Sequence, residues 1–360
     1  MRAHFAMRAL RAESRRLIAA GTLAAYVARA LFRKRKLPFA VSDSSRSIAA
    51  LRAIETERLD APLFTDPFAA ALAGEAALAR VRARGGASDY GRIAIRTRFF
   101  DDAVKDALAR CDDGEGPWQV VLLGAGLDTR AWRLAPPASA PKARAVFEVD
   151  VREVLDGKQA LLRGEPLTLA ESYAAVRSNL ARPREKNGGW ARELRRAGHD
   201  PSLRTAWVLE GLLYYLEPGV VDDVLRGTAS LSAPGSTLMA SVVNRASLRR
   251  ATSGSARRTN SAKRAWASHC DAPERAFAER GWEARTVAQP GDPNADYGRW
   301  RGPPPPPRGD GDDGAGAGDR ASAGDPDATP RTFYVVCDAK ARRATSPARG
   351  GDARATTGRA

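Results

Sequence analysis

The chain has 360 residues, of which 43% are hydrophobic and 28% charged, and a formal net charge of +16. This composition is typical of a globular protein with a large core and excludes a collagen, a coiled coil and wholesale disorder. The three cysteines lie far apart, and every run of 18 residues contains a charged or polar side chain. We therefore expect a thiol-tolerant compartment, no disulfide framework, no metal site and no transmembrane segment.

The positive charge is concentrated at the two ends of the chain. Residues 1–40 carry a net charge of +9 and residues 338–360 carry +4, so that about +3 is left for the 297 residues between them. A nucleic-acid-binding domain would place its basic residues on one folded face. We therefore expect no nucleic-acid partner.

Residues 1–40 form a basic N-terminal extension that is rich in arginine and nearly free of acids. This composition is typical of a transit peptide and favours a mitochondrion or a plastid, whereas a basic extension without a targeting role would leave the protein in the cytoplasm. Its apolar stretch, residues 17–28, is too short to span a bilayer.

Residues 41–341 are predicted to form one domain. It opens with a helical cap at 42–110, in which apolar residues recur at helical spacing over 45–60, 64–74 and 91–110. Strands and helices then alternate, which predicts an α/β fold: a doubly wound, mostly parallel, seven-stranded Rossmann-like sheet whose last two strands form an antiparallel pair at one edge. The predicted strands are 118–124, 144–150, 174–179, 205–211, 236–244, 281–288 and 331–339, and the helices between them are 151–163, 188–197 and 218–231.

The end of the domain is interrupted by an insert at 302–330 that is rich in proline, glycine and aspartate. Such a segment buries too little apolar surface to offset the entropy of ordering, so we predict disorder. The apolar strand that follows it places the insert inside the domain. Residues 342–360 are predicted to be a disordered basic tail.

The first predicted strand ends in LLGAGLDTRAWRL (122–134). Gly124 and Gly126 allow a sharp turn and a close approach to a ligand, and an acid after the next strand, Glu148 or Asp150, stands where Rossmann-type sites hold a ribose. Alone, this pattern fits a turn without a ligand, a dinucleotide site or another nucleoside site. Thr129 replaces the third glycine of the dinucleotide motif, which favours S-adenosylmethionine over NAD.

Several segments, in order, resemble the leucine carboxyl methyltransferase family of S-adenosylmethionine-dependent methyltransferases, in particular its bacterial branch of small-molecule O-methyltransferases. The resemblance implies a cofactor, S-adenosyl-L-methionine, and a methyl acceptor. It extends over RAIETERLDAPLFTDPFAAALAG (52–74), IAIRTRFFDDAV (93–104), QVVLLGAGLDTRAWRL (119–134), VFEVDVREVLDGK (146–158), residues 190–216, SAPGS (232–236) and GWE (281–283).

The resemblance also implies roles for residues at matching positions. Arg96 matches the arginine that contacts the methionine carboxylate, and Glu210 matches an acid near the sulfonium. Asp150, a better match than Glu148, stands at the ribose position. The loop beneath the cofactor corresponds to Gly124, Ala125 and Gly126.

One position departs from the family pattern. The family usually has Asp-Leu near the adenine after its third strand, where this chain has Asn179 and Leu180. An asparagine keeps a carbonyl acceptor and adds an amide donor, so Asn179 remains able to bond the adenine amino group.

No histidine stands out as a catalytic base. His4 lies in the extension, His199 in a turn and His269 in a Ser/Arg-rich region. Glu210 and Tyr214 are the weak catalytic candidates, with Tyr215 beside them. A carboxylate acceptor is already ionised, whereas a hydroxyl benefits from a base, so the pattern favours a carboxylate.

The predicted function is S-adenosylmethionine-dependent O-methylation of a carboxylate, or a hydroxyl, on a small molecule or a protein C-terminus. We expect acceptor specificity to lie in 42–110 and 245–300. Two alternatives stay open at this point: an NAD(P)-dependent oxidoreductase on a similar sheet, and a non-catalytic protein that binds through its basic ends.

Overall fold

The computed structural model describes residues 43–83, 87–110, 118–182, 189–253, 265–305 and 329–340. The N-terminal extension, the C-terminal tail and most of the predicted insert lie outside the described residues, as does part of the 245–300 region. The predictions made for those segments therefore stay predictions.

Seven strands form one sheet in the order β3-β2-β1-β4-β5-β7-β6. All pairs are parallel except those of β7, which runs antiparallel to β5 and β6. The predicted seven-stranded, mostly parallel α/β fold with an antiparallel pair at one edge is confirmed. The strands are β1 (Gln119–Leu123), β2 (Ala143–Asp150), β3 (Ala170–Arg177), β4 (Thr205–Leu209), β5 (Thr237–Val243), β6 (Trp282–Ala288) and β7 (Thr332–Ala339).

Helices precede the sheet and cover both of its faces. The N-terminal portion is helical, as the sequence predicts, and a 3₁₀ turn at Leu213–Tyr215 follows β4. In the part of the chain that the structure describes, the helices are α1 (Asp43–Thr56), α2 (Ala69–Ala73), α3 (Glu75–Ala83), α4 (Ala87–Ala109), α5 (Arg130–Arg133), α6 (Arg152–Leu162), α7 (Gly189–Arg196), α8 (Pro218–Ser230), α9 (Arg245–Thr252) and α10 (Pro273–Ala278).

Two apolar cores lie on opposite faces of the sheet because successive strand residues point to opposite sides. On β1, Val120 and Leu122 belong to the core shared with the cap helices, whereas Val121 and Leu123 belong to the core shared with α7 and α8. A strand covered on both faces reads as a continuous apolar run, which is why β1 is easily predicted.

Several predicted elements differ from the structure in their bounds, and for two of them the structure shows the cause. β3 begins at Ala170, four residues before the predicted start, because its polar first half pairs with β2 at the sheet edge. The helix predicted over 64–74 is confined to Ala69–Ala73, since the side chain of Asp66 bonds the Phe68 amide and holds a turn there. Within the described ranges, no helix combines the length and apolar character needed to span a membrane.

Candidate functional site

A cavity of about 1190 Å³ opens at the carboxyl ends of β1, β2, β3 and β4. The chain passes from β1 to β2 on one side and later crosses to β4 on the other, so the cavity lies at the topological switch point, where doubly wound sheets bind ligands. Its volume exceeds the roughly 300–1,000 Å³ of an ordinary small-molecule cleft. It is therefore a large cavity whose lining extends across both halves of the sheet.

The loop after β1 forms one wall of the cavity. Gly124 and Gly126 have left-handed backbone conformations, with φ of +66° and +49°. A Cβ atom on Gly124 would stand 2.7 Å from the Leu212 Cδ1 atom, so any other residue would need a left-handed backbone and a displaced Leu212 side chain. Gly124, Ala125 and Gly126 all line the cavity.

The side chain of Asp150 holds this loop in place through hydrogen bonds to backbone amides. Its Oδ2 atom accepts a hydrogen bond from the Gly126 amide at 2.7 Å, and its Oδ1 atom accepts one from the Val151 amide at 2.7 Å. Burial raises the pKa of Asp150, and these backbone hydrogen bonds oppose part of that rise. The carboxylate also lines the cavity, so it is placed to accept bonds from ligand hydroxyls.

Glu148, the other acid considered at this position, has a different environment. It is fully buried, 2.7 Å from the Lys158 Nζ atom, and accepts a hydrogen bond from the Tyr173 hydroxyl at 2.7 Å. Burial raises its pKa, which Lys158 and Tyr173 partly oppose. The structure thus separates the two acids: Asp150 faces the cavity, and Glu148 belongs to the interior beneath it.

The loop after β3 closes this end of the cavity. Asn179 and Leu180 both line it, and the Asn179 Oδ1 atom accepts a hydrogen bond from the Ala181 amide at 3.0 Å. We call the wall formed by Gly124–Gly126, Asp150, Asn179 and Leu180 the nucleoside side.

An ion-pair cluster lies at the centre of the cavity. The two carboxylate oxygens of Glu210 pair with the Arg96 Nε atom at 2.8 Å and with an Arg130 terminal nitrogen at 2.8 Å. Burial alone would raise the pKa of Glu210, but the two guanidinium groups outweigh it and hold the pKa below its ordinary value. Glu210 is thus ionised and held from two sides.

Arg130 is a residue to which the sequence reasoning assigned no role. It is buried and also pairs with Asp101 at 2.7 Å and with Asp128. The signal was present in the DTRAWR segment after the glycine loop, but its arginines were read only as part of the family resemblance. The segment connects the loop after β1 to α4 through Asp101, which Arg133 contacts as well.

Aromatic side chains line the far side of the cavity. The Tyr214 ring lies 4.9 Å from the Tyr215 ring and 4.8 Å from the Trp266 ring, measured between centroids. The sequence singled out the two adjacent tyrosines but missed Trp266 and Tyr334, which come from segments distant in the chain. Burial raises the pKa of Tyr214 to about 12.

The two described histidines lie away from the cavity lining. His199 packs between Phe147 and Trp207, and its Nε2 atom is 3.1 Å from the Thr205 hydroxyl. Its burial lowers the pKa to about 4. His269 is exposed and paired with Asp271 at 3.1 Å.

The nucleoside side fits S-adenosyl-L-methionine. The glycine cradle admits a close ligand, the Asp150 carboxylate faces the space beside it, and Arg96 supplies a cation at the centre. A switch-point cavity with a glycine loop and a strand-end acid is typical of a Rossmann-type nucleoside-cofactor site.

Comparison with known proteins agrees with this class. The family model of leucine carboxyl methyltransferase matches residues 46–229. A Frankia alni protein named as a candidate S-adenosyl-L-methionine-dependent methyltransferase is 35% identical over 273 residues, 73% of this chain and 89% of its own length. A Mycobacterium marinum protein of the same name is 40% identical over 222 residues, 57% of this chain and 65% of its own length.

Among solved structures, a DUF574 family protein from Streptomyces avermitilis matches 81% of this chain and 96% of its own, with 18% identity and a TM-score of 0.46. The chain belongs to the leucine carboxyl methyltransferase family, whose model matches half of its length. It is an S-adenosyl-L-methionine-dependent methyltransferase, as the sequence predicted.

Proposed function

We propose that the protein methylates an oxygen atom of a carboxylate acceptor, carried by a small molecule or a protein C-terminus. The observation that carries this proposal is the state of the two candidate catalytic side chains. Glu210 is paired with two arginines, and the pKa of Tyr214 is about 12, so near neutral pH neither side chain readily takes up a proton. A carboxylate acceptor needs no such proton transfer.

The bound cofactor would supply a methyl group on a sulfonium, and the protein would supply position. In this proposal, Asp150 holds the ribose, Asn179 and Leu180 hold the adenine, and Gly124–Gly126 lie beneath the cofactor. Arg96 binds the methionine carboxylate, while Arg130 fixes Glu210 against it.

Calorimetric titration of the full-length protein with S-adenosylmethionine, S-adenosylhomocysteine and NADH tests the cofactor assignment. We expect the first two to bind at micromolar concentration and NADH to bind far more weakly. Asp150→Ala removes binding, whereas Glu153→Ala, which removes an exposed acid from the first turn of α6, leaves it unchanged. NADH binding in preference to both, or equal binding by Asp150→Ala and wild type, contradicts the assignment.

Labelled methyl transfer tests the acceptor chemistry. The protein is incubated with methyl-labelled cofactor and, separately, with the small-molecule and protein fractions of a cell extract. Methyl esters release volatile labelled methanol in mild alkali, whereas methyl ethers keep the label. We expect alkali-labile product, and an alkali-stable product would show a hydroxyl acceptor instead.

A further inference from the structure

Arg92 is a cavity-lining arginine without a carboxylate partner among the residues that the structure describes. It is exposed, and its guanidinium lies over the Trp300 ring, 4.9 Å from the centroid. It stands four residues before Arg96, on the same face of α4. By contrast, carboxylates pair with four other arginines of the cavity lining: Arg52, Arg96, Arg130 and Arg133.

The charge of the central cluster does not offset that of Arg92. Four arginines and four carboxylates make up this cluster, so their formal charges balance. They are Arg52, Arg96, Arg130, Arg133, Asp66, Asp101, Asp128 and Glu210. Arg92 therefore adds an uncompensated positive charge to this part of the cavity, where it favours an anionic ligand.

The wall beside Arg92 is aromatic. The Tyr334 hydroxyl lies 3.5 Å from the Arg92 carbonyl oxygen, and the Tyr214 hydroxyl lies 3.4 Å from an Arg96 terminal nitrogen. Aromatic walls bind flat apolar groups by stacking and edge contacts. We call Arg92, Tyr214, Tyr215, Trp266 and Tyr334 the acceptor side; it comes from α4, the turn after β4, residues beyond α9, and β7.

The acceptor side is distinct from the nucleoside side. The nucleoside side follows β1, β2 and β3, in one half of the sheet, whereas the acceptor side follows β4 and includes β7, in the other half. The Arg96–Glu210 pair lies between them. A molecule on the acceptor side thus sits beyond the cofactor position, next to the centre of the cavity.

We propose that the methyl acceptor is a small aromatic carboxylic acid, with its ring against Tyr214, Tyr215 and Trp266 and its carboxylate paired with Arg92. This inference rests on the proposed function. One carboxylate oxygen forms a bond to the methyl carbon as the carbon–sulfur bond breaks; the sulfur keeps the electron pair, and no proton moves. The methyl ester is neutral, so its attraction to Arg92 is lost and its release is favoured.

The test measures binding to the full-length protein saturated with S-adenosylhomocysteine. The probes are benzoate, 2-naphthoate and the methyl ester of each, titrated by calorimetry. In the wild type we expect 2-naphthoate to bind roughly tenfold more tightly than its ester, the effect of one charge-assisted contact. Arg92→Met removes this preference, and Arg92→Lys retains part of it.

A second variant tests the aromatic contribution. Trp266→Leu is expected to weaken the acid and the ester by a similar factor, so that their ratio is kept. The Arg92 and Trp266 variants thereby separate charge recognition from ring recognition.

The outcomes separate this inference from the proposed function. If wild-type protein does not bind S-adenosylhomocysteine, the proposed function fails. If it binds that molecule but neither acid is preferred over its ester, the inference alone is overturned. It is also overturned if Arg92→Met weakens S-adenosylhomocysteine binding, since Arg92 would then serve the cofactor carboxylate.

Discussion

The two sides of the cavity are built in different ways. The nucleoside side uses backbone: left-handed glycines, amides that bond Asp150, and a short loop after β3. The acceptor side uses large side chains from four separate parts of the chain. Positions that depend on a special backbone conformation tolerate few substitutions, whereas side chains that line a cavity can be replaced without changing the fold. This difference suits a site in which backbone shape holds the cofactor and side chains select the acceptor.

The largest expected effect is a loss of stability on removing the buried ion pair of Lys158 and Glu148, which lies beneath the nucleoside side. Lys158 neutralises the buried Glu148 and also donates a hydrogen bond to the Asp128 carbonyl at 3.0 Å, which joins β2 to the loop after β1. Lys158→Met leaves Glu148 buried without a cation. We expect the free energy of unfolding to fall by about 3–5 kcal/mol at neutral pH, measured by urea denaturation.

The pH dependence of Lys158→Met has a definite sign. The pKa of Glu148 is already raised by burial, and the loss of the lysine raises it further. A raised folded-state pKa means that stability returns as the pH falls and the carboxyl takes up a proton. Lys142→Met, which removes an exposed lysine, is the control and should change stability by less than about 1 kcal/mol. Similar stability of the two variants would contradict the prediction.

The second expected effect is a change in the acid dependence of stability, caused by His199, without a change in cofactor binding. His199 lies beside Thr205 at the start of β4, which is the end of the strand opposite the cavity. Its pKa is lowered to about 4 by burial, so its contribution to stability is complete above about 6.5 and is lost as the pH falls towards 4. This loss is on the order of 3 kcal/mol.

His199→Gln should remove that part of the acid destabilisation, whereas His269→Gln, which changes an exposed residue, should keep it. Urea denaturation at a series of pH values measures the effect. Neither variant should change the affinity for S-adenosylhomocysteine at neutral pH. An unaltered acid profile in His199→Gln would show that other groups carry the transition.

The same difference between the two sides explains how much the sequence could predict. Gly124, Ala125, Gly126 and Asp150 lie within 27 residues, at the ends of two strong apolar strands, so their spacing raised a ligand site as one of several interpretations. Position by position, the family resemblance added Arg96, Glu210 and the Asn179–Leu180 pair. All of these residues line the cavity.

The acceptor side could not be predicted in this way. Arg92 and Tyr334 are 242 positions apart, and only the pairing of β7 with β5 brings them together. Arg92 reads as an ordinary helix-surface arginine, and Tyr334 as an apolar strand residue. The partner of an arginine depends on tertiary structure, which local pattern does not contain.

The third effect tests the backbone character of the nucleoside side. Gly124→Ala places a Cβ atom 2.7 Å from the Leu212 side chain, at a φ of +66°. Gly164→Ala is a matched control, with a φ of +86° and nothing within 4 Å of the new atom. Both should lose about 1 kcal/mol of stability from backbone strain.

Only Gly124→Ala should also bind S-adenosylhomocysteine more weakly, by roughly tenfold, because the loop must shift to relieve the contact. Calorimetry measures the affinity and thermal unfolding measures the stability. Equal affinity in the two alanine variants would mean that the loop shape does not limit cofactor binding.

The smallest expected effect is on methyl transfer, when the Tyr214 hydroxyl between the two sides of the cavity is removed. Tyr214→Phe removes a hydroxyl 3.4 Å from an Arg96 terminal nitrogen, a long contact that contributes less than about 1 kcal/mol. With a pKa of about 12, this hydroxyl stays protonated from pH 6 to 9 and takes no proton from an acceptor. Methyl transfer should therefore fall less than about fivefold, with an unchanged pH profile, and Tyr215→Phe should behave alike. A loss of turnover confined to Tyr214→Phe would make this hydroxyl catalytic and point to a hydroxyl acceptor.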